Sequence, residues 1–118
     1  MNRNISWLVE AKIKKGKLDN LKNWITKASS QVKKTEAGTL AYEFWLSPDK
    51  KTIHYYNRYS NSETLIIHMK NISPLLPELL KYSTPKIITV YGPADKSVKK
   101  ILEHLNPVYF NCFGGFTR

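Results

Sequence analysis

Asn57-Arg58-Tyr59-Ser60-Asn61-Ser62-Glu63-Thr64-Leu65-Ile66-Ile67-His68 carries an aromatic, β-prone run (Ile53 to Tyr59) into a short amphipathic helix that bears a histidine. Ser60 and Glu63 have the spacing of a capping box, in which the serine oxygen accepts from a first-turn amide and the glutamate reaches back to the serine amide. The spacing predicts a helix from Glu63 to about Asn71, with Leu65, His68, Met69 and Ile72 on its inner side. Asn57 and Tyr59 share one strand face. If that face meets His68, a polar cluster lies beneath an apolar helix. A small-molecule pocket has that makeup, and so does a filled core.

Upstream, Ser6 to Ile13 alternates Trp7, Val9, Ala11 and Ile13 with a more polar set, the period of a half-buried strand. From Lys17 to about Thr35, Leu18, Leu21, Trp24, Ile25, Ala28 and Val32 form one helical stripe, and Gly38 suits a left-handed position after the helix. Thr39–Leu46 places Leu40, Tyr42, Phe44 and Leu46 on one face, with Ala41, Glu43 and Trp45 on the other. Ser47-Pro48-Asp49-Lys50 is turn chemistry, so Thr52–Tyr59 returns as a hairpin.

Downstream, Ser73-Pro74 interrupts the capped helix, and Pro77 to Tyr82 adds a further helical turn or two. Lys86–Tyr91 reads as a strand, about Ala94 to Leu105 as a helix, and Val108–Phe113 as a last β segment. The order βαββαβ followed by α-β predicts an α+β, ferredoxin-like antiparallel sheet with its helices on one face. It is one domain over residues 1–118, with a core of about 5–92 and a helix–strand extension over 93–118. The face away from the helices holds Leu8, Ala41, Trp45 and Tyr56 among Glu10, Lys12, Glu43, His54 and Arg58. So large an apolar patch calls for a cover. A second copy stacked sheet to sheet supplies one and lets Arg58 pair with Glu43 or Glu10; a homodimer is expected.

Nineteen basic residues face nine acidic ones, for a formal charge of +10. All but Arg3, Arg58 and Arg118 of the basic residues are lysines, and they are spread over turns and helix faces. Nucleic-acid recognition favours the planar arginine fork, so the charge reads as solvated surface. No apolar run reaches the length of a membrane span. One cysteine, Cys112, fits a reducing compartment and a buried, inert thiol; a cytoplasmic protein is expected. His54, His68 and His104 are scattered without metal-ligand spacing. His54 is expected at the dimer face and His104 at a helix end.

Four local matches give the chain a family likeness: residues 9–17, opening Val9-Glu10-Ala11; 36–43, opening Glu36-Ala37-Gly38; Asn57-Arg58-Tyr59-Ser60-Asn61; and Leu65-Ile66-Ile67-His68. Over about residues 5–92 the pattern resembles the antibiotic biosynthesis monooxygenases, dimeric α+β barrels built from ferredoxin-like subunits. The resemblance implies a pocket between sheet and helices, and relatives that oxygenate quinols and polycyclic phenols without a cofactor or that degrade haem. His68 matches the family's helix histidine. Asn57 stands where many members have glutamate, and Tyr59 where they often have tryptophan. The asparagine and second histidine of the haem-degrading branch have no counterpart in Val9-Glu10-Ala11 or Pro77-Glu78-Leu79.

These readings give two candidate functions. In the first, His68 takes a proton from an aromatic or quinol-like compound and Asn57 holds the oxyanion. Tyr42, Tyr59, Phe44 and Trp24 supply an aromatic wall, and no cofactor or metal takes part. In the second, the dimer binds a ligand or serves structurally, without chemistry.

Overall fold

A computed structural model describes residues 2–118. Its strands are β1 (Ile5–Ile13), β2 (Thr39–Leu46), β3 (Thr52–Tyr59), β4 (Ser83–Tyr91) and β5 (Val108–Phe110). Its helices are α1 (Leu18–Thr35), α2 (Ser62–Ile72), α3 (Leu76–Leu79) and α4 (Lys96–Leu102), with 3-10 turns at Ser73–Leu75 and Glu103–Leu105. The sheet order is β2-β3-β1-β4-β5. The first four strands pair antiparallel, with Trp7 opposite Asn57 and Val90, and Tyr42 opposite Asn57. The α+β ferredoxin-like architecture is as expected. The added strand changes the sheet, however: β5 lies parallel to β4, because the chain crosses back through α4.

The core forms where α1, α2 and α4 meet one sheet face. Leu21, Trp24, Ala28 and Val32 of α1 are buried there, with Leu65 and Ile72 of α2 and Val98 and Leu102 of α4. On the other face Trp45, Ile87, Tyr91 and Phe110 are exposed. Among the described residues no helix is long and apolar enough to cross a membrane.

Local chemistry departs from the sequence reading at several points. Asn61, not Ser60, caps α2: its side chain accepts from the Thr64 amide at 3.0 Å, and Thr64 Oγ1 accepts from the Asn61 amide at 3.2 Å. The helix therefore starts one residue earlier, and Ser60 only flanks the box through Thr64 Oγ1. Gly38 is not left-handed. It is needed for space, since a Cβ there would overlap the Thr64 side chain. A Gly38→Ala variant should lose about 1–3 kcal/mol by overpacking against the cap; an unchanged urea midpoint would refute this.

Leu40 leaves the core face because a bulge shifts the β2–β3 register between Thr39 and Ala41. The helix expected over 94–105 is regular only to Leu102, then tightens to a 3-10 turn that Asn106 ends in a left-handed conformation. The last strand stops at Phe110, so Cys112 is exposed rather than buried: the tail beyond β5 has no sheet partner to cover it. Within one chain Arg58 pairs with neither Glu43 nor Glu10. The Asn4 amide, oriented with its oxygen toward the guanidinium, accepts from Arg58 Nε and Nη2 at 2.9 Å each.

Candidate active site

Between the sheet and α2 lies a cavity of about 250 Å³, lined by Trp7, Val9, Trp24, Tyr42, Phe44, Tyr55, Asn57, His68, Met69, Ile72, Leu76, Leu79, Leu80, Pro85, Ile88, His104 and Leu105. The volume accommodates a molecule of one or two rings. Its deep wall is the sheet, where the antiparallel register sets Tyr42 beside Asn57 and Phe44 beside Tyr55. The Phe44 ring meets Tyr42 and Tyr55 edge-on, at 4.9 and 5.5 Å between centroids. Trp24 reaches the cavity from α1 and is fixed by donating from Nε1 to the Leu75 carbonyl at 3.0 Å. That bond also ties down the turn after α2.

His68 is 2% exposed and lines the cavity. Its Nδ1 lies 2.7 Å from Glu36 Oε1. The glutamate is itself buried just beyond the end of α1, where Thr39 Oγ1 donates to Oε1 at 2.7 Å and Asn71 Nδ2 donates to Oε2 at 2.5 Å. Gln31 Nε2 donates in turn to Asn71 Oδ1 at 2.9 Å. A carboxylate only accepts, so it fixes the proton of a neutral imidazole on Nδ1 and leaves a lone pair on Nε2. Nε2 has no hydrogen-bond partner among the described residues and is not fully buried. Burial lowers the His68 pKa below its ordinary value, and the Glu36 charge opposes that shift without cancelling it. His68 is therefore uncharged at neutral pH. That is the state of a base.

The Tyr42 ring packs 5.4 Å from the imidazole. Its hydroxyl is likewise without a partner, and desolvation, followed by the Glu36 charge, raises its pKa. It stays protonated and is free to donate. The Asn57 amide is satisfied when Oδ1 accepts from Trp7 Nε1 at 3.1 Å and from the Tyr59 hydroxyl at 2.8 Å, with Nδ2 donating to the Tyr56 carbonyl at 3.0 Å. The reverse orientation would set the indole N–H against a donor. One Nδ2 hydrogen remains uncommitted.

Of the residues singled out in the sequence, Trp24, Tyr42, Phe44, Asn57 and His68 all line this cavity. Tyr59 does not. It is fully buried behind Asn57, with its ring 5.3 Å from the imidazole. His54 lies on the outer face, 3.7 Å from Glu10. Glu36 and Asn71 escaped the sequence reading of the site, as did His104. A signal existed for Glu36: an acid at a helix C-terminus opposes the helix dipole and asks for another reason to be there. Among the described residues no three His, Cys, Asp or Glu side chains gather as a metal site.

Fold and cavity together define a ferredoxin-like α+β protein with an acid–base pair under an aromatic roof. No family model matches the sequence. No curated protein matches it either. Solved structures share the fold. MupZ from Pseudomonas fluorescens superposes with a TM-score of 0.90 at 23% identity, over 100% of this chain and 91% of its own. A protein of Nitrosomonas europaea provisionally named an antibiotic biosynthesis monooxygenase gives 0.68 at 18% identity, over 79% of this chain and 92% of its own. SnoaB, a cofactor-independent oxygenase from Streptomyces nogalater, gives 0.66 at 7% identity, over 80% and 96%. The fold expected from the four local matches is thus the fold of the chain. The MupZ match takes in the helix–strand extension, whereas the other two leave about a fifth of this chain unmatched.

Proposed function

We propose that this protein is a cofactor-independent monooxygenase acting on a small phenol or quinol-like aromatic. The observation that carries the reading is the buried His68, which lines an aromatic cavity and has its Nδ1 held by Glu36. Nε2 takes the phenolic proton, with Tyr42 and the spare Asn57 hydrogen donating to the phenolate oxygen. The electron-rich ring adds dioxygen at a C–H carbon. Once the resulting peroxide is protonated, the C–H proton leaves as the O–O bond breaks, giving a carbonyl and water. In sum, phenol and dioxygen become quinone and water, and the substrate supplies all four electrons. SnoaB, of the same fold, is a cofactor-independent oxygenase. Two copies stacked through the outer sheet face would cover Trp45, Ile87, Tyr91 and Phe110, and residues 93–118 belong to the same domain as the core. We place the dimer in the cytoplasm.

Oxygen uptake with a panel of substituted phenols, naphthols and naphthalene diols tests this reading. One compound should be consumed with one dioxygen per quinone formed, without added flavin or haem and undiminished by a chelator. Uptake by none would overturn it. The internal bonding of the Asn57 carbonyl favours, as second reading, a binder without chemistry. Saturable binding of a naphthol with no oxygen consumed would establish that alternative.

A further inference from the structure

His104 lines the same cavity as His68 but is exposed, as is Leu80, another lining residue. His68 and Asn57 are buried, so these two residues form the mouth and His68 the floor. The half-buried lining residues beside them, Leu76, Pro85 and Leu105, are apolar. His104 has no hydrogen-bond partner among the described residues. It is nonetheless firmly placed: Val98 and Leu102 of α4 are fully buried, and the 3-10 turn after them closes at left-handed Asn106, whose amide bonds the Glu103 carbonyl at 3.1 Å. An unpartnered imidazole on an anchored turn, at the otherwise apolar mouth of a reaction cavity, has no structural work to do there.

We infer that His104 is the second proton-transfer group of this cavity, a catalytic residue serving the end of the substrate away from His68; the inference rests on the oxygenase reading. Glu36 pins His68 at the phenolic oxygen. The peroxide forms across the ring, several ångströms nearer the mouth, where a pinned imidazole does not reach. As imidazolium, His104 protonates the peroxide anion. As imidazole, it then takes the ring C–H proton while the electron pair forms the carbonyl and hydroxide leaves. The hydroxide collects the proton stored on His68 and departs as water, so both histidines return to their starting states. The extension thereby completes the site rather than decorating the fold.

Imidazole NMR during anaerobic titration with 1-naphthol, whose carbon across the ring carries a hydrogen, reads the placement without turnover. The ring resonances of His68 and His104 should shift together, while those of His54, on the outer sheet face, stay still. In steady state with a turned-over panel compound, His104→Gln should lower kcat at least about tenfold with KM little changed, and the hydroperoxide should accumulate. Since His104 is exposed, the variant keeps its fold. A shift of His68 without His104, or a variant that turns over like the wild type, overturns the inference. Joint shifts with no oxygen uptake by the wild type end the oxygenase reading but leave His104 at the ligand. If neither ring moves, both fail.

Discussion

Replacing His68 by alanine or glutamine is expected to lower kcat by about 10²–10⁴, the usual worth of a positioned general base. The fold should survive the glutamine change, because the amide can donate to Glu36 and retain the network with Asn71 and Thr39. The pH dependence follows from burial. The His68 pKa is lowered from its ordinary 6.5, so the base is already free of its proton at neutral pH. kcat/KM should fall on acidification through that lowered value. His68→Gln should lose this acid limb along with the rate. Retention of full turnover by either variant would remove His68 from the chemistry.

The second large effect is on stability. Glu36→Ala removes the acceptor for three buried or half-buried donors at once, from His68, Thr39 and Asn71. Leaving a buried donor without its acceptor costs about 1–3 kcal/mol, and here the fully buried His68 donor bears most of that loss. A urea denaturation midpoint within error of the wild type would show that the network is slack. His68 adds a pH signature of known sign. Its folded pKa lies below the unfolded value, so its contribution is fully present above pH 6.5 and is lost as pH falls through the folded pKa. In that window the unfolded chain binds a proton that the folded one refuses. The His68→Gln variant should show a flatter acid limb of stability.

The strand and helix faces were legible because burial there follows simple periods. The alternation in β3 and the stripe in α1 each point one way, and the strand-to-helix turn before His68 set the place of the cavity. The fine chemistry was less so. Ser60 and Asn61 are both good caps, and only the three-dimensional path of the turn chose Asn61. Gly38 suggested a left-handed residue, while its actual constraint is a neighbour 26 positions away, Thr64. Leu40 had the right parity for the core until a bulge moved it out. Glu36 and His68 are far apart in sequence and meet only when the end of α1 packs against α2, so their pairing could not be read from spacing. His104 sits on an extension whose packing over the cavity has no periodic signature.

The proposed function rests on one electrostatic arrangement, a buried carboxylate against a histidine that lines a largely apolar cavity. Nitrogen–proton correlation spectra of the His68 ring at neutral pH test it most directly. A proton on Nδ1 and a bare Nε2 are expected, with that preference weakened in Glu36→Ala, which leaves Nδ1 without its acceptor. A proton on Nε2 alone, or a doubly protonated ring, would contradict it.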